Sequence, residues 1–173
     1  VDGPLARQTN TSGTVYTFPV GAGGRLKVSG VRPGSSGSST YRIVAYTAPA
    51  PSVSVLAPGS GLYAVSRREY WELTRTAGTA DATVRLYYTL PYSDVQETPA
   101  GQQALRIAVL SGGQWQNYGQ AALPNTAERY LDAGQALTLT NGNAVSVTFG
   151  TLSPANPLPV TLTEFRAKVD GSD

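Results

Sequence analysis

The sequence predicts an all-β protein, an antiparallel β-sandwich of immunoglobulin-like or jelly-roll-like type with about ten strands. Three observations support this prediction. Short segments alternate apolar and polar residues, as strands with one buried face do. Clusters of glycine, proline and serine separate these segments where the chain must turn. No long segment repeats its apolar residues with the period of an amphipathic helix.

The predicted strands and turns follow one another along the chain. The alternating segments are residues 14–20, 25–31, 41–46, 63–74, 82–90, 104–110, 114–118, 135–139, 144–149 and 158–169. Residues 48–61 are rich in proline and glycine, which favours a loop or an irregular edge. Ser111, Gly112 and Gly113 separate two of the segments and predict a short hairpin. The best helix candidate is residues 122–130, a short run that begins near a proline.

Length and composition limit the classes of function. The chain has 173 residues, enough for a sizeable core, and 14% of them are charged. The net charge is +2 and the basic residues are scattered, so no basic stripe predicts a nucleic-acid partner. Cysteine and histidine are absent, which excludes disulfides, ordinary zinc, copper or haem sites and histidine-based catalysis. We therefore predict neither an enzyme nor a resident cofactor, and no segment has the length and apolarity of a transmembrane helix.

Two groups of acidic residues are candidates for chemistry. Asp94 and Glu97 share a predicted loop, where carboxylate oxygens can bind calcium, although their spacing matches no dedicated calcium loop. Glu69 and Glu72 flank two aromatic residues in a predicted strand. An offset of three places these glutamates on opposite faces of a strand, whereas a glycosidase needs two carboxylates that converge. We expect one of the aromatic residues in the core and the glutamates at the solvent face.

Aromatic residues are the candidates for ligand contact. The chain has 10 tyrosines and two tryptophans. Tyr92, Trp115 and Tyr118 lie near predicted turns, where exposed rings can stack on sugar rings as they do in carbohydrate-binding modules. Aromatic rings in strands more often pack in the core or against a neighbouring strand. Both interpretations stay open for these three residues.

Both ends of the chain are predicted to be strands. Leu5 belongs to a short segment near the first residue, and residues 158–169 alternate around Val160, Leu162 and Phe165. A terminal strand with an apolar face must be buried in its own sheet or in that of a neighbour. These four apolar residues are therefore the candidates for an inter-subunit strand.

A domain boundary is predicted where two prolines interrupt the chain, at Asn156-Pro157-Leu158-Pro159. Residues 1–155 form the predicted sandwich. Residues 156–173 form a predicted linker and terminal strand, which leads to a missing module or pairs with a neighbour.

Five segments, in this order, resemble a family of bacterial surface-protein domains. They are Gly3-Pro4-Leu5, Phe18-Pro19-Val20-Gly21, Glu69-Tyr70-Trp71-Glu72-Leu73, residues 105–109 with 113–115, and residues 156–168. Domains of this family precede a C-terminal type IX secretion sorting module in gliding-type Gram-negative bacteria. The last segment is similar to the N-P-L-P-V-x-L-x-x-F-x-A linker that leads toward that module.

The resemblance implies a non-catalytic module at an extracellular or outer cell-surface location, and it implies no functional residues. We expect a structural or adhesive role, with self-association or contact with other domains of the same surface protein. A fibre assembled through terminal strands is one form of that role. The alternative is a carbohydrate-binding module of a secreted multidomain enzyme, with glycans as partners.

Overall fold

The structure is a computed structural model that describes residues 2–93 and 95–154. Within these residues the chain forms eleven strands and one short helix, and the strands pair antiparallel in two sheets. This confirms the predicted all-β sandwich of about ten strands. The predicted boundary at residue 156 and the strand candidates Val160, Leu162 and Phe165 lie outside the described residues, so they stay predictions.

The two sheets differ in size. The larger sheet contains β1 (Leu5–Thr9), β4 (Ser39–Tyr46), β5 (Ala64–Val65), β6 (Tyr70–Ala77), β8 (Leu105–Ser111), β9 (Gln114–Asn117) and β11 (Ala144–Thr151). Its strand order is β1-β4-β6-β11-β8-β9, with β5 beside β11. The smaller sheet contains β2 (Tyr16–Ala22), β3 (Arg25–Pro33), β7 (Ala82–Tyr87) and β10 (Tyr130–Asp132), in the order β10-β7-β3-β2.

Two-residue glycine turns set the register of both tight hairpins. Gly112 and Gly113 join β8 to β9 with φ values of 60° and 78°, which confirms the predicted hairpin. Gly23 and Gly24 join β2 to β3 with φ values of 58° and 72°. Positive φ at both turn positions matches the twist of paired strands and favours glycine.

The helix lies elsewhere than predicted. The prediction of a helix at residues 122–130 is wrong. Asn125 and Tyr130 exchange two backbone hydrogen bonds, of 2.9 and 3.1 Å, and close a turn that leads into β10. The positive φ of 57° at Arg129 is also incompatible with a continuing helix. The helix α1 (Pro99–Ala104) forms instead in a predicted loop, where the hydroxyl of Thr98 caps it by accepting a hydrogen bond from the Gly101 amide.

The main core lies between the two sheets. Its largest fully buried side chains come from both, and they include Phe18, Tyr41, Ile43, Trp71, Leu73, Leu86, Leu105, Ile107, Leu131, Leu137 and Phe149. The ring of Trp71 packs edge-on against that of Phe149, with centroids 5.8 Å apart. These contacts hold the sheets together through apolar burial.

A second apolar cluster covers the outer face of the larger sheet. Ala108 belongs to this cluster, whereas its neighbours Ile107 and Val109 belong to the main core, because successive strand residues point to opposite faces. The covering residues come from the segment 48–62, which includes the predicted irregular region. Among the described residues, no helix is long and apolar enough to cross a membrane.

Candidate ligand-binding site

A buried ion pair lies under the candidate site. The Nζ of Lys27, in β3, contacts the Oε2 of Glu69, which comes just before β6, and the two side chains are only 3% and 1% exposed. The expectation that Glu69 lies at the solvent face is therefore wrong. The expectation that one of its aromatic neighbours is in the core is confirmed by Trp71, whose Nε1 donates a 3.3 Å hydrogen bond to the Lys27 carbonyl.

The hairpin register explains why a lysine faces the interior. The turn pairs Lys27 with Val20 and Ser29 with Phe18. Directly opposed residues in neighbouring strands point to the same face, and Val20 and Phe18 are buried in the core. Lys27 and Ser29 must therefore point inward as well.

The same register turns the apolar residues of this part of β3 outward. Leu26 alternates with Lys27 and is 60% exposed, and Val28 is half-buried. The polar residues of the segment lie inside and the apolar ones outside, which reverses the usual arrangement. An apolar surface that the fold itself does not bury is a common mark of a contact site.

Tyr92 closes the end of the sandwich above the ion pair. Its ring centroid lies 3.7 Å from the Lys27 Nζ and 4.6 Å from the guanidinium carbon of Arg25. Its hydroxyl donates a 3.0 Å hydrogen bond to the Arg68 carbonyl, which fixes the ring in place. Burial raises the pKa of Tyr92, because it disfavours the charged phenolate.

A pocket opens beside Tyr92 where β3 has no strand partner on one side within the described part of the chain. β7 pairs only with residues 29–33 of β3, and the chain then leaves the sheet. The gap beside the first residues of β3 has a volume of about 330 Å³, within the usual range for small-molecule sites. It is lined by Arg25, Leu26, Lys27, Val28, Tyr87, Thr89 and Tyr92.

Aromatic and charged residues continue across the outer face of the smaller sheet. The rings of Tyr87 and Tyr130 lie 5.5 Å apart, and the guanidinium carbon of Arg85 lies 3.5 Å from the Tyr130 ring centroid. Arg85 donates two hydrogen bonds, of 2.7 and 2.8 Å, to the carboxylate of Asp132. These bonds raise the pKa of Arg85, and Arg32 contacts the same carboxylate at 3.3 Å.

The structure separates the three aromatic candidates. Tyr92 lies at the pocket, as described above. Trp115 is fully buried in the second cluster, and its Nε1 donates a 3.1 Å hydrogen bond to the Pro51 carbonyl. Its assignment as a ligand-stacking residue is corrected to a core residue, because the segment 48–62 covers its ring. Tyr118 is half-buried against the main core and is not part of the pocket.

Glu97 is not among the residues that line the pocket. Asp94 is outside the described residues. The Oε1 of Glu97 accepts a 3.0 Å hydrogen bond from the Tyr88 hydroxyl and lies 3.8 Å from the Nε of Arg129. Residues 2–93 and 95–154 hold no group of three or more acidic, histidine or cysteine side chains that could bind a metal ion. Calcium binding at Asp94 and Glu97 stays a prediction.

Leu5 lies at the start of β1, and its role as an inter-subunit strand residue stays a prediction. It is half-buried and faces Ile43 of β4 in the register of the larger sheet. Together with Gly3, Pro4, Pro19 and Val20 it lines a second, smaller gap of about 170 Å³.

Comparison with known proteins adds no relative. The chain matches no protein-family model, no curated protein and no solved structure.

Sequence reasoning found Tyr92 but missed its charged neighbours Arg25, Lys27 and Glu69. The signal for Lys27 was present: the two glycines after β2 predict a two-residue turn, and counting outward from it places Lys27 opposite Val20. No comparable local signal indicates that Glu69 reaches Lys27, because Lys27 lies in the smaller sheet and Glu69 precedes a strand of the larger sheet.

Proposed function

We propose that this chain is a non-catalytic extracellular module with a structural or adhesive role, which joins its neighbours through the edge of its larger sheet. The observation that supports this proposal is the exposed edge of β1. Among residues 2–93 and 95–154 this strand pairs with β4 along one side and forms the end of the sheet, and its central residues 6–8 are exposed. An edge strand presents unpaired backbone groups to which another strand can add.

The apolar gap between β1 and β2 supports the same proposal. Its lining includes Leu5 and Val20, and it lies where the two sheets come apart at their edges. A strand from a second copy that adds to β1 places an apolar side chain there. A donor strand other than β1 makes this contact heterologous, so that it repeats from copy to copy and forms a surface fibre.

Sedimentation velocity over a range of concentrations tests the proposal. Ala6 is exposed in β1, and Ala6→Lys places a charge on the edge, which discourages strand addition. We expect the wild-type chain to associate and Ala6→Lys to stay monomeric. Thr126→Lys, which adds the same charge at an exposed turn, should associate as the wild type does. A wild-type chain that stays monomeric up to its solubility limit contradicts assembly through β1.

Carbohydrate binding is the second candidate function, and the pocket at Tyr92 favours it. The pocket combines an aromatic ring, exposed apolar side chains and polar groups at its rim, which is the usual composition of a ligand site. A glycan-array screen of the wild-type chain and of Leu26→Asn tests it, because Leu26 is 60% exposed and contributes little to folding. Loss of glycan binding in Leu26→Asn supports this function, and a wild-type chain that binds no glycan contradicts it.

A further inference from the structure

We propose that the pocket at Tyr92 binds an acidic saccharide, with Arg25 contacting the anionic group and Leu26, Val28 and Tyr87 contacting the face of the sugar ring. This inference rests on the carbohydrate-binding function and adds to it the charge of the ligand and the role of each side chain. The shared chemistry of the ligand class is a carboxylate or sulfate on a pyranose ring.

The apolar part of the pocket fits a sugar ring. A pyranose presents a face of C–H groups, and protein sites bury such faces against aromatic and aliphatic side chains. Leu26 and Val28 point outward because the turn at Gly23 and Gly24 sets the register, so no described strand of the sandwich covers this surface. The ring of Tyr87 lines the same gap.

The charges of the pocket favour an anion. Of the seven described residues that line it, Arg25 and Lys27 are basic and none is acidic. Lys27 is neutralised by Glu69 beneath it, which leaves the exposed guanidinium of Arg25 as the charge that a ligand meets first. The Tyr92 ring orients this guanidinium at 4.6 Å, and a fixed planar guanidinium suits carboxylate and sulfate groups because it can donate two hydrogen bonds at once.

The surface beyond the pocket suits a polymer with repeated anionic groups. Tyr87 connects the pocket to Tyr130, over which Arg85 lies. Arg85 and Arg32 share the single carboxylate of Asp132, so this trio keeps one positive charge. A second cationic position thus lies beyond Tyr87, on the outer face of the smaller sheet.

Isothermal titration of the full chain tests the inference with defined probes. The acidic probes are tetragalacturonate and a sulfated heparin tetrasaccharide, the neutral probe is a galactose tetrasaccharide, and a single-stranded DNA 10-mer carries charge without sugar specificity. We expect at least one acidic tetrasaccharide to bind about tenfold or more tightly than the neutral one. Raising the salt concentration should weaken that binding, because the contact is electrostatic and partly exposed.

Matched variants assign the charge to Arg25. Arg25→Gln should weaken binding of the acidic tetrasaccharide about tenfold, whereas Arg42→Gln, the same change on the exposed face of the other sheet, should leave it unchanged. Leu26→Asp should weaken acidic binding more than Leu26→Asn does, since the aspartate adds repulsion to the lost apolar contact.

The outcomes distinguish the acidic ligand from carbohydrate binding itself. Equal binding of neutral and acidic probes, unaffected by Arg25→Gln, overturns the acidic ligand and leaves carbohydrate binding standing. A wild-type chain that binds none of the saccharides overturns both. DNA binding of equal strength and equal dependence on Arg25 overturns saccharide recognition. The inference is supported if Arg25→Gln loses binding of the acidic tetrasaccharide and Arg42→Gln keeps it.

Discussion

Breaking the ion pair between Lys27 and Glu69 should destabilise the fold more than any exposed charge change. The perturbations are Glu69→Leu, Lys27→Met and the double variant Lys27→Met/Glu69→Leu. Each single change leaves one charge inside the sandwich without its partner, because both side chains are nearly fully buried, at 3% and 1% exposure. The loss expected for an orphaned buried charge is about 3–5 kcal/mol of the free energy of unfolding.

The double variant should cost much less than the sum of the two single changes. It removes both charges and replaces them with apolar side chains of similar length. The Oε1 of Glu69 has no hydrogen-bond partner among the described residues, so the native pair does not fully compensate the cost of burial. We expect the double variant within about 1–2 kcal/mol of wild type and a coupling energy of several kcal/mol from the double-mutant cycle.

Urea unfolding followed by tryptophan fluorescence measures these differences. Trp71 is a suitable probe because it is buried and its indole donates a hydrogen bond to the Lys27 carbonyl. With an m-value of about 2 kcal/mol/M, a loss of about 4 kcal/mol lowers the unfolding midpoint by about 2 M urea. Glu128→Gln is the matched control: Glu128 is exposed, and its change should stay within about 0.5 kcal/mol.

Two results would refute this reasoning. Single variants that unfold within about 1 kcal/mol of wild type would mean that Lys27 and Glu69 are solvated. A double variant whose loss equals the sum of the single losses would mean that the two side chains do not interact.

Three further predictions concern backbone strain, pH and capping. At Gly78, where φ is 87°, an added Cβ would lie 2.5 Å from the Ser38 carbonyl oxygen. Gly78→Ala should therefore lower the free energy of unfolding by more than about 2 kcal/mol in urea. Gly59 has a φ of 74° but open space around it, so Gly59→Ala should lower it less. Burial and a carboxylate neighbour raise the pKa of Tyr46 to about 12. The contribution of protonated Tyr46 to the free energy of unfolding should therefore be fully present below pH 10 and be lost as the pH rises toward 12. In urea unfolding measured across this range, Tyr46→Phe should make the fall in stability smaller by on the order of 1–2 kcal/mol. Thr98→Ala removes the cap of α1 and should cost about 1 kcal/mol, whereas Thr98→Ser should cost almost nothing by the same assay.

The hairpin of β2 and β3 shows how far local sequence reasoning reaches. Alternation predicted both strands, and the glycines between them predicted the turn. The same alternation suggests that Leu26 and Val28 face the core, yet they face outward, because the two-residue turn pairs Lys27 with the buried Val20. Register overrides polarity here, since a shift by one residue would turn Phe18 and Val20 out of the core.

The candidate site shows where that reasoning stops. Tyr92 was predicted as a ligand residue from its position near a turn, and Trp115 was predicted on the same basis. Their different burial depends on residues 48–62, which fold over Trp115 but not over Tyr92. Which loop covers which aromatic ring is a long-range contact, so no local pattern reports it.

The amino-acid sequence alone determines the class of this protein. Its strand-length alternation, glycine turns and lack of helical periodicity lead to a sandwich, because each of these signals acts within a few neighbouring residues. Tertiary structure alone decided that Lys27 meets Glu69, that Arg25 and Tyr92 border a gap beside β3, and that Trp115 is enclosed. Those contacts join residues far apart in the chain, and their geometry depends on how two sheets pack and where one strand ends before its neighbour.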